Sequence, residues 1–283
     1  MTRALVLGGG GSAGNAWTIG VLAGLLEGGV DAAAADLIIG TSAGATAAVQ
    51  ITSGSASELY TAILDAQLPP QSQRGRPSVD HLARTGAIIA SASDAADMRR
   101  RMGAAAIVLD DESDGAWETR WRAITAHRLP DAVWPERRML IAAVDARTGE
   151  PVTFDAASGV DIVDAVAAST SSGAAYRIGD GRYIDGGYRR NENADLAAGH
   201  DRVLVLSPLG GRTRHPLAWR MQLAAQVDDL RAVGSAVSTI LPDESSLAAS
   251  GDDLMDPSVR RPAAEAGYRQ GRAAASALAE FWG

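Results

Sequence analysis

The sequence feature that most constrains the fold is the alternation of short apolar runs and helical segments in the first 53 residues. Ala4 to Leu7 is a continuous apolar run ended by Gly8, which is typical of a strand buried on both faces. Gly14 to Leu26 follows with apolar residues at helical spacing. Leu37 to Ile39 indicates a second buried strand, and Thr46 to Thr52 a second helix. This β-α-β-α order predicts an α/β fold with a mostly parallel sheet covered by helices.

The middle of the chain departs from this pattern. Pro69-Pro70 and the polar stretch Gln71 to Pro77 interrupt it, and helical segments with few strand signals follow. We therefore expect residues 66–135 to form a helical insertion or cap. Beyond it the sequence predicts strands at Met139 to Val144, Val152 to Phe154 and Val203 to Leu206, helices at Asp161 to Ala168 and Pro262 to Trp282, and a hairpin at Tyr176 to Tyr188.

Composition excludes several classes of function. The net charge of −8 over 283 residues argues against a nucleic-acid partner, which needs a basic surface. The sequence has no cysteine, so disulfides and thiolate metal sites are excluded. No run of 18 apolar residues predicts a transmembrane segment, and the apolar run after Met1 is too short for a signal peptide. We expect a soluble cytoplasmic protein.

A candidate nucleophile lies between the second strand and the second helix. Gly40-Thr41-Ser42-Ala43-Gly44 fits G-x-S-x-G, and glycines on both sides of a tight strand-to-helix turn relieve crowding around the serine. Such a turn exposes the Ser42 hydroxyl at a helix N-terminus, where the helix dipole favours a developing negative charge. The alternative is a serine that only caps the helix.

The glycine-rich loop Gly8 to Gly14 joins the first strand to the first helix. Consecutive glycines allow backbone N–H groups to point at one spot, so the loop is a candidate oxyanion hole. A second interpretation is a dinucleotide site, because Gly9-x-Gly11-x-x-Gly14 fits G-x-G-x-x-G. Asp36 lies at about the right distance along the chain for a ribose contact, but it precedes the second strand instead of following it. A turn without a ligand is the third interpretation.

A serine nucleophile needs a base. The chain has four histidines: His81, His127, His200 and His215. His215, in a loop after a strand, is the one reasonable candidate for a triad. Asp185 is the more suggestive base, because it ends a short strand and is followed by Gly186 and Gly187. Asp180 begins the Asp-Gly pair typical of a hairpin turn, so we expect it to have a structural role.

Three motifs together resemble the patatin-like phospholipase family. They are Gly9-Gly10-Gly11-Ser12-Ala13-Gly14, Gly40-Thr41-Ser42-Ala43-Gly44 and Asp185-Gly186-Gly187, with Ala167-Ala168-Ser169 before the last of them. Their order, the short gap between the first two and their strand contexts are similar to those of that family over about residues 3 to 206.

The resemblance implies an α/β/α sandwich with a mostly parallel sheet, formed by residues 1–283 as a single patatin-like hydrolase domain. It implies Ser42 as nucleophile and Asp185 as base in a dyad without histidine, with Gly9, Gly10 and Gly11 at the oxyanion hole. Two departures stand out. The family commonly has Arg or Lys where this chain has Ala13, and Asn-x-Pro where this chain has Asn193-Ala194-Asp195.

The function expected from these residues is hydrolysis of lipid or acyl esters by two-step acyl transfer. Neither a metal nor an organic cofactor is needed for that chemistry. A lipid substrate would bring the protein into peripheral contact with a membrane. Three tryptophans of the insertion are candidates for an acyl groove or for the core: Trp117, Trp121 and Trp134. A nucleotide-binding or non-catalytic lipid-binding protein and a Ser-His-Asp hydrolase are the alternatives.

Overall fold

Eight strands form one sheet in the part of the chain that the computed structural model describes, residues 1–67, 79–113, 115–129 and 132–283. The strands are β1 (Arg3–Leu7), β2 (Leu37–Thr41), β3 (Arg138–Asp145), β4 (Pro151–Phe154), β5 (Tyr176–Ile178), β6 (Gly181–Asp185), β7 (Arg202–Leu206) and β8 (Ala236–Ile240). Their order is β5-β6-β3-β2-β1-β7-β8, and β4 pairs with β3. The β1, β2, β3, β7 and β8 strands run parallel, whereas β4, β5 and β6 pair antiparallel.

The described residues also form ten α-helices. These are α1 (Gly11–Glu27), α2 (Ala43–Ser53), α3 (Ala56–Asp65), α4 (Val79–Ser91), α5 (Ala95–Asp111), α6 (Ala116–Arg128), α7 (Ile162–Ser169), α8 (Leu223–Ala232), α9 (Glu244–Ser250) and α10 (Arg260–Trp282). Among these helices, none combines the length and the apolar character that crossing a membrane requires.

The two faces of the sheet pack into separate apolar cores. Successive side chains of a strand point to opposite faces, and Leu5 and Leu7 of β1 join a core with α1, α2, α7 and α10. Ala4 and Val6 of the same strand join a second core with α8. Helices thus cover both faces of the sheet. The α/β/α sandwich predicted from the sequence is confirmed.

Helices α1 and α10 pack in unusually close contact. A Cβ added at Gly20 or Gly24 of α1 would lie 2.1 or 2.2 Å from a backbone carbonyl oxygen of α10, and Gly267 and Gly271 make the reciprocal approach to α1. Glycine is needed at these positions because any side chain would separate the two backbones. This contact fixes the start of α10 beside the glycine-rich loop that precedes α1.

The predicted elements recur with small changes in their bounds, and the structure adds others. The helical character expected for residues 66–135 is found in α4, α5 and α6, whereas the break at Pro69-Pro70 and Gln71 to Pro77 lies outside the described residues. The sequence pattern does not indicate β8 or the helices α3, α8 and α9. That residues 1–283 act as one domain with a cap stays a prediction.

Candidate active site

The pairing of strand β3 brings two distant segments to the same point. Ala142 pairs with Thr41 of β2 on one edge and with Thr153 of β4 on the other. The next residue, Ala143, pairs with Asp185 of β6, and its other edge is also occupied by β4. Strands β2 and β6 therefore follow one another along the same edge of β3. The end of β2, just before Ser42, meets the end of β6.

Ser42 lies in a strained turn between β2 and α2. Its φ of 53° and ψ of −120° are rarely adopted by a residue with a side chain. The surroundings fix this conformation: the Ser42 N–H donates to the hydroxyl of fully buried Ser169 at 3.0 Å. Gly44 allows α2 to begin against β1, since a Cβ there would lie 2.0 Å from the Leu7 carbonyl oxygen. The Ser42 hydroxyl is thereby held at the N-terminus of α2.

The Ser42 hydroxyl donates a hydrogen bond of 2.7 Å to Oδ2 of Asp185. The other carboxylate oxygen, Oδ1, accepts from the Gly187 N–H at 2.8 Å, and the Asp185 N–H donates to the Ser171 carbonyl at 2.9 Å. Burial raises the pKa of Asp185 from 3.8 to about 6, and the hydrogen bonds from Gly187 and Ser42 oppose this rise. The two residues that the sequence proposed as nucleophile and base are thus in direct contact.

In the glycine-rich loop, Gly9, Gly10 and Gly11 differ in what their N–H groups bind. The Gly9 N–H donates to the Asn191 carbonyl at 3.1 Å, so it is not available to a substrate. Within the described residues, the N–H groups of Gly10 and Gly11 have no hydrogen-bond acceptor. Gly11 has φ +64° and begins α1, so the helix adds its dipole to these donors. Of the three glycines predicted for an oxyanion hole, Gly10 and Gly11 therefore keep an N–H group that could donate to a ligand.

Asn191 holds the glycine-rich loop from the segment that follows Asp185. Besides accepting from the Gly9 N–H, it donates from Nδ2 to the Gly9 carbonyl at 3.2 Å. The same Nδ2 donates to buried Glu192, which also accepts from Ser207 at 2.6 Å and from Gln226 at 3.2 Å. The site residues predicted from the sequence do not include Asn191. An asparagine six residues after Asp185 was the available signal.

The motif glycines are required by close packing. An added Cβ would lie 3.0 Å or less from a neighbouring atom at seven positions: Gly9, Gly10, Gly11, Gly14, Gly40, Gly44 and Gly186. At Gly10 it would lie 2.6 Å from Cβ of Pro208, and at Gly187 it would lie 3.1 Å from Oδ1 of Asp185. These contacts explain why glycine recurs around the serine and the carboxylate.

The other candidate residues lie elsewhere. Asp36 precedes β2, so it lies at the amino ends of the strands, whereas the glycine-rich loop lies at their carboxyl ends. Its carboxylate accepts a hydrogen bond from the Arg3 N–H at 2.7 Å. This placement does not support a ribose contact. Asp180 lies in the exposed turn between β5 and β6, as expected.

In the described part of the chain, no histidine hydrogen-bonds Ser42 or Asp185. Nδ1 of His215 is 2.8 Å from the Thr213 hydroxyl, and burial beside Arg214 lowers the pKa of His215 to about 4. His200 contacts the Ala197 carbonyl through Nδ1 at 3.1 Å. The remaining two line cavities: His81 lines one that reaches Asp185, and His127 lines one that reaches both Ser42 and Asp185.

Two cavities meet at Asp185. The first, of about 610 Å³, reaches Ser42 and Gly11 and contains apolar side chains. These are Ile19, Leu59, Ile63, Trp121 and Met255. The second cavity, of about 590 Å³, reaches Asp185 but not Ser42 and includes polar and basic residues. The three tryptophans considered for an acyl groove all pack against the core, and Trp121 also lines the first cavity.

Fold and site together define an α/β protein with a serine and a carboxylate at the carboxyl ends of its strands. The sequence profile described as Patatin-like phospholipase matches residues 5–198. The chain belongs to this family of lipid acyl hydrolases. No curated protein matches the chain.

Two solved structures are similar to this chain at low identity. VipD from Legionella pneumophila is 15% identical with a TM-score of 0.46, over 98% of this chain and 67% of that chain. The type III effector protein ExoU is 16% identical with a TM-score of 0.42, over 96% of this chain and 53% of that chain. This chain therefore spans about two thirds and about half of the lengths of these two proteins.

Proposed function

We propose that the chain is a serine acyl hydrolase that cleaves carboxylic ester bonds of lipids through Ser42 and Asp185. The observation that carries the proposal is the 2.7 Å hydrogen bond from the Ser42 hydroxyl to a buried carboxylate with a pKa of about 6. A carboxylate with the ordinary pKa of 3.8 is a weak base for a hydroxyl. Burial makes Asp185 more basic while it is still ionised at neutral pH.

In the first half of the reaction, Ser42 Oγ attacks the ester carbonyl carbon and its proton passes to Oδ2 of Asp185. The N–H groups of Gly10 and Gly11 donate to the oxyanion of the tetrahedral intermediate. Collapse of the intermediate breaks the bond to the alcohol, which leaves with the proton from Asp185. An acyl group remains on Ser42.

In the second half, water attacks the acyl-Ser42 carbonyl and Asp185 accepts a proton from that water. The oxyanion is held by the same two donors, and the carboxylic acid departs as Ser42 recovers its proton. The apolar part of the Ser42 cavity offers room for the acyl chain, since Ile19, Leu59 and Ile63 line it. Neither half requires a residue beyond Ser42, Asp185 and the two glycines.

The test compares variants that are each shown to be folded. Wild-type protein should hydrolyse a short-chain nitrophenyl ester and form a covalent adduct with a fluorophosphonate probe at Ser42. Ser42→Ala should lose both activities. His215→Ala should change the rate only modestly, and Asp180→Asn serves as the control for loss of a turn aspartate.

Three outcomes would contradict the proposed function or part of it. Turnover by folded Ser42→Ala protein would rule out Ser42 as nucleophile. If His215→Ala were as damaging as Ser42→Ala while Asp185→Asn stayed active, a histidine triad would replace the dyad. Lipid binding by wild-type protein with neither an adduct nor turnover would support the non-catalytic alternative.

A further inference from the structure

A buried glutamate packs against the glycine-rich loop. Glu192 is 1% exposed, and three side chains donate to its carboxyl group in the part of the chain that the structure describes. Asn191 and Ser207 donate to Oε1, at 2.9 and 2.6 Å, and Gln226 donates to Oε2 at 3.2 Å. Burying a carboxyl group costs free energy unless its oxygens are hydrogen-bonded. The proposed acyl transfer has no step for this one, so its contacts indicate what it does.

Glu192 and its neighbour Asn191 hold the first two glycines of the loop. A Cβ added at Gly8 would lie 3.3 Å from Cγ of Glu192, so the glutamate side chain packs on this glycine. The Asn191 carbonyl accepts from the Gly9 N–H at 3.1 Å, and Asn191 Nδ2 donates to the Gly9 carbonyl at 3.2 Å. The same Nδ2 donates to Glu192, which therefore fixes the orientation of the Asn191 amide.

Ser207 and Pro208 support the third glycine from the end of β7. A Cβ added at Gly10 would lie 2.6 Å from Cβ of Pro208, so the proline packs directly on the backbone of this proposed oxyanion donor. The Ser207 hydroxyl donates to Glu192 and accepts from the Gly211 N–H at 2.9 Å. The glutamate thus binds the turn that carries the proline.

The backbone of Glu192 contacts the turn that carries the nucleophile. Thr41, the residue before Ser42, donates from its hydroxyl to the Glu192 carbonyl at 3.4 Å and accepts from Nδ2 of Asn193 at 3.0 Å. Thr41 and Asn193 are both completely buried. The segment 191–193 therefore contacts the glycine-rich loop and the nucleophile turn at once, and it sets the distance between them.

Gln226 requires an acceptor on both oxygens of the side chain at position 192. Its Oε1 accepts from the Ala194 N–H at 2.8 Å and its Nε2 donates to the Met221 carbonyl at 3.1 Å, so its amide cannot turn round without losing both bonds. Its Nε2 therefore faces Glu192. A glutamine in place of Glu192 has one acceptor oxygen, and in either orientation its own N–H groups would face a donor. A carboxylate accepts on both sides.

We propose that Glu192 is a positioning residue of the active site. By joining Asn191 to Ser207, it holds the glycine-rich loop in place. The N–H groups of Gly10 and Gly11 thereby point at the oxyanion. Glu192 lines neither cavity, so it acts through the loop and not on the substrate. This inference rests on the proposed hydrolase function.

The test compares Glu192→Gln with Asp110→Asn, each shown to be folded. Asp110 is also buried and accepts from three side chains, Trp117, Arg177 and Arg182, but it lines neither cavity. Glu192→Gln should lower kcat for a nitrophenyl ester about 10- to 100-fold with little change in KM, because misplaced oxyanion donors weaken binding of the transition state. Asp110→Asn should lower the free energy of unfolding but leave kcat of the folded protein at the wild-type value.

A pair of ligands separates placement of the oxyanion donors from binding of the substrate. With an alkyl trifluoromethyl ketone, Ser42 Oγ bonds to the ketone carbon, the hydroxyl proton passes to Asp185 and the ketone oxygen becomes an oxyanion. The corresponding trifluoromethyl alcohol has no carbonyl group and cannot add. Glu192→Gln should weaken binding of the ketone by the factor that it removes from kcat/KM, and should leave binding of the alcohol unchanged.

Two further variants keep the proposal testable if Glu192→Gln does not fold. The double variant Glu192→Gln with Gln226→Glu exchanges the two groups and restores an acceptor for each N–H between them. It should recover part of kcat, although the Met221 carbonyl loses its donor. Ser207→Ala removes the 2.6 Å hydrogen bond to Glu192 and should lower kcat without changing KM.

Hydrogen–deuterium exchange, followed by mass spectrometry, examines the loop without turnover. The Gly9 N–H, which donates to the Asn191 carbonyl, should exchange faster in Glu192→Gln than in wild-type protein. In Asp110→Asn its exchange should be unchanged. This measurement decides whether Glu192 holds the loop even if the proposed hydrolase function fails.

The results that oppose the proposal differ from those that oppose the hydrolase function. Wild-type kcat in folded Glu192→Gln protein, or unchanged exchange at Gly9, would overturn the role of Glu192 and leave the hydrolase function standing. An equal fall of kcat in Asp110→Asn, or an equal loss of affinity for the ketone and the alcohol, would show general destabilisation and overturn it too. Wild-type protein with neither turnover nor a fluorophosphonate adduct would contradict the hydrolase function, and exchange at Gly9 would still decide whether Glu192 holds the loop.

Discussion

Replacing Asp185 by asparagine separates the charge of the proposed base from the shape of its side chain. Asparagine is nearly isosteric, and its amide oxygen still accepts from the Gly187 N–H. Burial holds the pKa of Asp185 at about 6 in the folded protein, against an ordinary 3.8. The difference between these two pKa values corresponds to about 3 kcal/mol, since one pKa unit corresponds to about 1.4 kcal/mol. That amount is the free-energy cost of ionising this carboxylate inside the fold.

The sign of the pH dependence follows from proton binding. Between pH 3.8 and about 6 the folded state binds the Asp185 proton more tightly than the unfolded state does. The contribution of Asp185 to the free energy of unfolding is therefore full below pH 3.8 and is lost as pH rises through about 6. Asp185→Asn has no such loss. Relative to wild-type protein, it should gain up to about 3 kcal/mol between pH 4 and pH 7.5.

Urea unfolding of both proteins across this pH range measures the difference, and effects of the other carboxylates cancel in the comparison. Asp180→Asn, in the exposed turn, controls for loss of an acidic side chain at a site without burial. The same variants are assayed for ester hydrolysis. Wild-type kcat/KM should fall as pH drops below about 6. Asp185→Asn should be about 10²–10⁴-fold less active than wild-type protein above that pH, and its activity should not show the same fall. A stability difference that is constant from pH 4 to pH 7.5 would refute the burial argument.

Two further substitutions test the positioning of the site. Gly10→Ala would force Cβ against the neighbouring proline and should lower kcat, measured by steady-state kinetics, by about 10²–10³-fold through loss of an oxyanion donor. Gly173→Ala is the control and should be nearly neutral, because no atom lies within 4 Å of the added Cβ. Ser169→Ala removes the acceptor for the Ser42 N–H and should cost about 1–3 kcal/mol in the free energy of unfolding and reduce kcat. Ser171→Ala is its control, since the buried Ser171 hydroxyl has no hydrogen-bond partner among the described residues. Equal effects of the two serine variants on kcat would contradict the role of Ser169 in holding the Ser42 N–H.

The sequence predicted the parts of the site that depend on local geometry. Gly-x-Ser-x-Gly after an apolar run indicates a strand-to-helix turn, and Ser42 has the left-handed φ that such a turn requires. The parallel sheet follows from the same alternation of strands and helices. Ser42 follows β2 and the glycine-rich loop follows β1, so both lie at the carboxyl ends of adjacent parallel strands. Their proximity was therefore also predictable.

Contacts between distant segments were not predictable in this way. The Gly9 N–H donates to the carbonyl of Asn191, which lies 182 positions away in the sequence, and no periodic pattern marks either residue. Arg260 reaches Ser12 because glycines allow α1 and α10 to pack closely, and the sequence shows those glycines only as interruptions of helical segments. Strand β8 was missed because its residues are mostly exposed or half-buried, with one buried position at its end.

The proposed mechanism also explains how a carboxylate can take the place of histidine as base. In a triad, an acidic residue orients the imidazole and the imidazole accepts the proton. Here the pairing of β6 with β3 and hydrogen bonds with the backbone of Ser171 and Gly187 orient Asp185, so no further side chain is needed for orientation. Burial then brings the pKa of Asp185 to about 6, close to the ordinary value of about 6.5 for histidine. On this mechanism, the sheet supplies the orientation and desolvation supplies the basicity.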